Sequence, residues 1–91
     1  MRRNLLRSNS TSAERRVYEV LKQLHIPFKH RWIVDGLEID FLIGDMALEI
    51  DGHIQKVNRN HKILELGFTP IHLSNEATKN PFYLKELLLN L

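Results

Sequence analysis

The sequence has no cysteine, which excludes a disulfide scaffold, a zinc ribbon and a thiol nucleophile together. Glycine and proline are few, at four and three. They form no glycine-rich phosphate loop, and no linker or internal repeat divides the chain. No apolar run approaches membrane length and no secretory h-region is present, so a soluble, cytoplasmic chain without a membrane partner is expected. Neither sign of charge dominates: thirteen Lys+Arg stand against eleven Asp+Glu, a net charge of +2. That excess is too small to assign a nucleic-acid partner by bulk charge. The 91 residues are 43% hydrophobic and 26% charged, the composition of a folded globular domain with a small core.

Residues 1–10 carry Arg2, Arg3 and Arg7 without apolar periodicity and read as a basic N-terminal arm preceding a single domain over 11–91. Thr11-x-x-Glu14 has capping-box spacing, and Ala13, Val17, Val20, Leu21 and Leu24 recur at helical intervals. A helix over about 12–25 is expected, stopping before Pro27. Strand patterns follow over 28–34, 37–43 and 46–51, joined by the turn pairs Asp35-Gly36 and Gly44-Asp45. Asn58 is the expected cap of a short helix ending at Gly67. Residues 68–73 are a fourth strand, with Pro70 placing it at an edge or at its start. Asn80-Pro81 opens a last helix whose Leu84, Leu87, Leu88 and Leu91 form a stripe that covers the sheet. The order is α-β-β-β-α-β-α, an α+β architecture with a mixed four-stranded sheet flanked by helices.

The acids are placed unevenly. Strict alternation puts Leu37, Ile39, Phe41 and Ile43 on one face of their strand, with Glu38 and Asp40 on the other. A two-residue loop at Gly44-Asp45 sets Asp40 opposite Glu49 and Glu38 opposite Asp51. Like charges so opposed are destabilising and need a cation. Lys or Arg can supply it, and a divalent metal does so best, since carboxylates are hard oxygen ligands. The competing reading is an acidic sheet face open to water. The register across Asp35-Gly36 puts Arg31 opposite Asp40, either as a counter-charge or as a phosphate contact.

Ile39-Asp40-Phe41 followed by Glu49-Ile50-Asp51-Gly52 resembles the D...ExD form of the PD-(D/E)XK, restriction-endonuclease-like nuclease superfamily. Thr11 to Arg16, and the segment from His61 to Leu73, are similar to the opening and closing parts of its very-short-patch-repair type. The resemblance spans about residues 11–75. It implies a metal-dependent DNA endonuclease in which Asp40 and Glu49 bind Mg2+, for which Mn2+ would substitute, with the Ile50 carbonyl as a further ligand. Asp51 stands where many members carry Lys, and would be a second metal ligand or hold the attacking water. Glu14 would act through a metal-bound water or as a base. Gln55 or Lys56 would reach back in place of the missing Lys. Such chemistry needs a water made nucleophilic near neutral pH and a counter-charge on the phosphorane, both supplied by carboxylate-held Mg2+.

Of the five histidines none has HxH or HExxH spacing, so zinc is not expected. His53 directly follows the ExD strand and is a candidate general base or leaving-group contact, whereas the others read as surface or satisfied core residues. Trp32 falls on the apolar face and is expected in the core. Arg31, Lys56, Arg59 and Lys62 are candidate DNA contacts. The alternative to an endonuclease is a nucleic-acid-binding or structural module on an inactive nuclease fold. So small a domain has little surface for a long DNA site, so specificity would come from a homodimer or from a fused or partner domain.

Overall fold

The computed structural model describes residues 11–51 and 57–91, apart from the side chains of Asp51 and Val57. The basic arm over 1–10 and the candidates His53, Gln55 and Lys56 lie outside the described residues.

Helix α1 runs over Ser12–Gln23. Thr11 caps it, its hydroxyl accepting the Glu14 amide at 3.1 Å. Only half of the expected capping box forms, because the Glu14 carboxylate turns away from the cap into the site described below. The helix ends sooner than its periodicity suggests. His25 takes a left-handed backbone, φ 58, with its amide donating to the Lys22 carbonyl and that of Ile26 to the Leu21 carbonyl, the two bonds of a Schellman stop.

Strands β1 (Lys29–Val34), β2 (Leu37–Ile43), β3 (Met46–Asp51) and β4 (Thr69–Ser74) form one sheet in the order β1-β2-β3-β4. The first two pairings are antiparallel, and β3 with β4 is parallel. Asp35 and Gly36 both have positive φ, 51 and 79, as a two-residue type I′ hairpin demands. A parallel pair cannot be joined by a hairpin, and helix α2 (Val57–Glu65) makes the crossover. Asn58 is the second residue of that helix, not its cap. Gly67, φ 94, ends it in a second Schellman stop, with Phe68 bonding back to Ile63. Pro70 is tolerated because β4 is an edge strand. A short 3-10 turn over Glu76–Lys79, which the sequence pattern does not signal, leads into helix α3 (Pro81–Leu89). Asn80 caps α3, accepting the Phe82 and Tyr83 amides at 3.0 and 3.1 Å.

Both faces of the sheet are covered. Val17, Val20 and Leu21 of α1, with Leu84 and Leu88 of α3, pack on Phe41, Ile43, Leu48 and Leu73. Leu87 joins this cluster, while Leu91 is exposed. On the opposite face Ile63 of α2 packs on Leu37, Ile39, Leu42 and Ala47. A fully buried Leu or Phe here contributes about 1.5 to 3 kcal/mol, which fixes the position of each helix against the strands.

This division corrects the strict alternation expected along β2. Leu37 and Ile39 face α2, whereas Phe41 and Ile43 face α1, so the side-chain parity changes at Asp40. On β1 the matching change is at Arg31, which has a left-handed φ of 55 between the ladder pairs His30↔Phe41 and Trp32↔Ile39. Trp32 is corrected with it: the residue is 38% exposed, with the Lys29 ammonium 4.1 Å from its ring centroid, and is no core residue.

Candidate active site

The β2–β3 ladder runs from Ile43↔Met46 to Phe41↔Leu48. Beyond it the expected opposition of Asp40 to Glu49, and of Glu38 to Asp51, gives way to a fork held by side chains. The Ile50 amide donates to Asp40 Oδ2 at 2.8 Å, and the Asp40 amide donates more weakly to Glu49 Oε2 at 3.4 Å. Each acid thus takes a backbone donor that a continuous ladder would have used, as a buried amide requires.

Glu49 is 4% exposed, and a lone charge so buried would be costly. Arg59, in the first turn of α2, answers it: Nε donates to Glu49 Oε1 at 2.7 Å, and Nη2 donates to the Glu38 carbonyl. Among the described residues no Arg or Lys forms an ion pair with Asp40. Burial pushes its carboxyl up from the ordinary 3.8 to about 6, opposed by the Ile50 amide and reinforced by the nearby charges of Glu49 and Glu14.

Glu14 enters from α1, on the other side of the fork from Arg59. It is 7% exposed, and its Oε2 lies 2.6 Å from His30 Nε2 and 3.1 Å from Arg31 Nε. The hydrogen bond to Glu14 raises the Arg31 pKa above its already high value, so the guanidinium is a fixed positive charge. Arg31 also lies 3.9 Å from the Glu38 carboxylate. It is therefore a counter-charge within the acid cluster, one of the two roles its position allows. Lys62 stands at 4.0 Å from Asp35, away from these acids.

Among the described residues, then, the fold gathers Asp40, Glu49 and Glu14 with Arg31 and Arg59. The backbone of Asp51 pairs with Ser74 at the end of β3, but its side chain lies outside the description, as do His53, Gln55 and Lys56. No cage of three or more acidic or imidazole groups exists among the described residues. The Asp40 and Glu49 carboxylates are oxygen donors of the kind Mg2+ takes, an ion that keeps several waters and shares substrate phosphate oxygens instead of filling an all-protein cage.

His30 and His72, which read in the sequence as surface or satisfied core residues, both lie beside the acids, and Asn60 joins them. His72 pairs with Glu49 across the parallel ladder, and its Nε2 lies 2.6 Å from Asn60 Oδ1. The signal for His30 was its register opposite Phe41, which puts it on the α1 side of the sheet, where Glu14 also projects. No helix among the described residues is long and apolar enough to cross a membrane.

No family model matches the chain, and no curated protein does. Among solved structures the chain is similar to the catalytic domain of the homing endonuclease I-Bth0305I. The TM-score is 0.72 at 20% identity, over 89% of this chain and 93% of that one. The two share a fold: a four-stranded mixed sheet flanked by helices.

Proposed function

We propose that the protein is a metal-dependent DNA endonuclease of the PD-(D/E)XK kind, close to the very-short-patch-repair type. The observation that carries this reading is the gathering of Asp40, Glu49 and Glu14, from two strands and a helix, at one forked strand end. It lies in a fold shared with a domain described as the catalytic domain of a homing endonuclease. Asp40 and Glu49 would hold Mg2+ or Mn2+, with the Ile50 carbonyl and Asp51 as further ligands. When bound, such an ion would supply a water of lowered pKa and a counter-charge for the phosphorane. Glu14 would serve as the base that accepts the proton of the attacking water as the new P–O bond forms and the P–O bond to the leaving nucleotide breaks. Arg31 and Arg59 flank the acids with positive charge and, with Lys56 and Lys62, hold DNA phosphates. Sequence specificity comes from a second copy or an attached module.

The test is nicking of supercoiled plasmid in Mg2+ against EDTA, paired with thermal melting with and without metal. The wild type should nick only with metal and melt higher with it. Asp40→Asn and Glu49→Gln should lose cleavage, and most of the metal-induced rise in melting temperature, because ligand binding stabilises only a native state that binds it. Equal melting shifts in all three proteins would refute the site. Binding of DNA and metal without cleavage would leave the nucleic-acid-binding module in its place.

A further inference from the structure

Resting on the endonuclease reading, we propose that His30 is a positioning residue. With Arg31 it clamps one oxygen of Glu14 and so presents the other to the reacting water. The clamp is built by an irregularity in β1. Successive residues of a regular strand point to opposite faces, so His30 and Arg31 could not both reach the same atom. The left-handed backbone of Arg31, φ 55, brings them together on Glu14 Oε2, at 2.6 and 3.1 Å. A non-glycine residue in that conformation is disfavoured, and such residues persist where surrounding contacts enforce them.

The His30 ring is itself held. It stacks on the fully buried Phe41, centroids 4.7 Å apart and planes 20° from parallel, and meets Tyr18 edge-on at 5.3 Å. Tyr18 in turn meets Phe28 at 5.4 Å. The imidazole is thus fixed by the same core that fixes α1, so its Nε2 has little freedom to leave Glu14. Among the described residues Glu14 Oε1 takes no hydrogen bond, although the side chain is almost wholly buried. A carboxylate with one oxygen doubly engaged and the other unengaged has a defined direction for proton acceptance, which a freely rotating glutamate lacks.

Two substitutions separate the ring from its hydrogen bond. His30→Phe keeps the stacking and removes the bond, while His30→Gln keeps a donor near the Nε2 position and removes the ring. Each is compared by kcat and KM for plasmid nicking and by Mn2+ affinity from calorimetry, alone and combined with Glu14→Gln. His30→Phe should lower kcat by about 10- to 100-fold with KM and Mn2+ affinity unchanged. His30→Gln should recover most of that loss. Added to Glu14→Gln, His30→Phe should cost nothing further, since it acts through Glu14. If Phe is not accommodated in the fold, His30→Leu makes the same comparison.

Wild-type kcat in His30→Phe, or a loss that multiplies with that of Glu14→Gln, would overturn the positioning role while leaving the endonuclease intact. A loss confined to KM or to Mn2+ affinity would do the same. A wild type that binds Mn2+ and DNA yet nicks with neither metal would overturn the endonuclease reading and this role with it.

Discussion

The sharpest stability prediction concerns Asp40. Its carboxyl is pushed up to about 6 in the folded chain against an ordinary 3.8, so between roughly pH 4 and pH 6 the folded state binds more protons than the unfolded one. Stability must therefore fall as pH rises through that window. At about 1.4 kcal/mol per pKa unit the two-unit difference amounts to about 3 kcal/mol. Screening at this partly exposed group reduces it to about 2 kcal/mol. Asp40→Asn removes the charge and keeps an oxygen to accept the Ile50 amide. In EDTA the variant and the wild type should be about equally stable near pH 4. At about pH 7.5 the variant should be the more stable by about 2 kcal/mol, a rise of roughly 10 °C in melting temperature for a domain of this size. Urea titrations at four pH values, compared by midpoint at constant slope, measure the difference. Parallel stability curves across the whole range would refute the burial of the Asp40 charge at the fork.

Two further outcomes follow from particular contacts. Arg59→Gln leaves Glu49 buried without its cation and should destabilise by about 3 kcal/mol; Arg59→Gln combined with Glu49→Gln should regain most of it, and strict additivity of the two in urea unfolding would count against the pair. His25→Gly relieves a left-handed backbone at an exposed helix stop and should raise stability by about 0.5 to 1 kcal/mol; a drop in melting temperature would mean that the imidazole itself holds the turn.

Much of this architecture is legible in the sequence because it rests on local chemistry. Thr11, Asp35-Gly36, Gly67 and Asn80 each mark an element boundary through a backbone need that few residues meet. The apolar spacing of Val17, Val20 and Leu21 fixes the inward face of α1 independently of anything else. The site was half legible. Asp40 and Glu49 stand out by spacing, but their actual relation depends on a change of strand parity that no period-two pattern can announce. The same change carries Trp32 out to solvent and brings His30 to Glu14. Arg31 gives no sign in sequence of its left-handed backbone, since arginine has no preference for it. Long-range pairings such as Arg59 with Glu49 depend on where a crossover helix lands, which local propensity does not encode.

The fork between β2 and β3 also governs how knock-outs of this protein should be built. Asp40 fastens one strand to the other through the Ile50 amide at 2.8 Å. A truncation to alanine therefore strands a backbone donor as well as deleting an acid, a loss of about 1 to 3 kcal/mol. In so small a domain that is a sizeable part of the whole folding free energy. An inactive alanine protein would report a loosened sheet and missing chemistry in one number. The amide isosteres keep the strap while removing the charge, so for this chain asparagine and glutamine, not alanine, are the substitutions that isolate the loss of the charge.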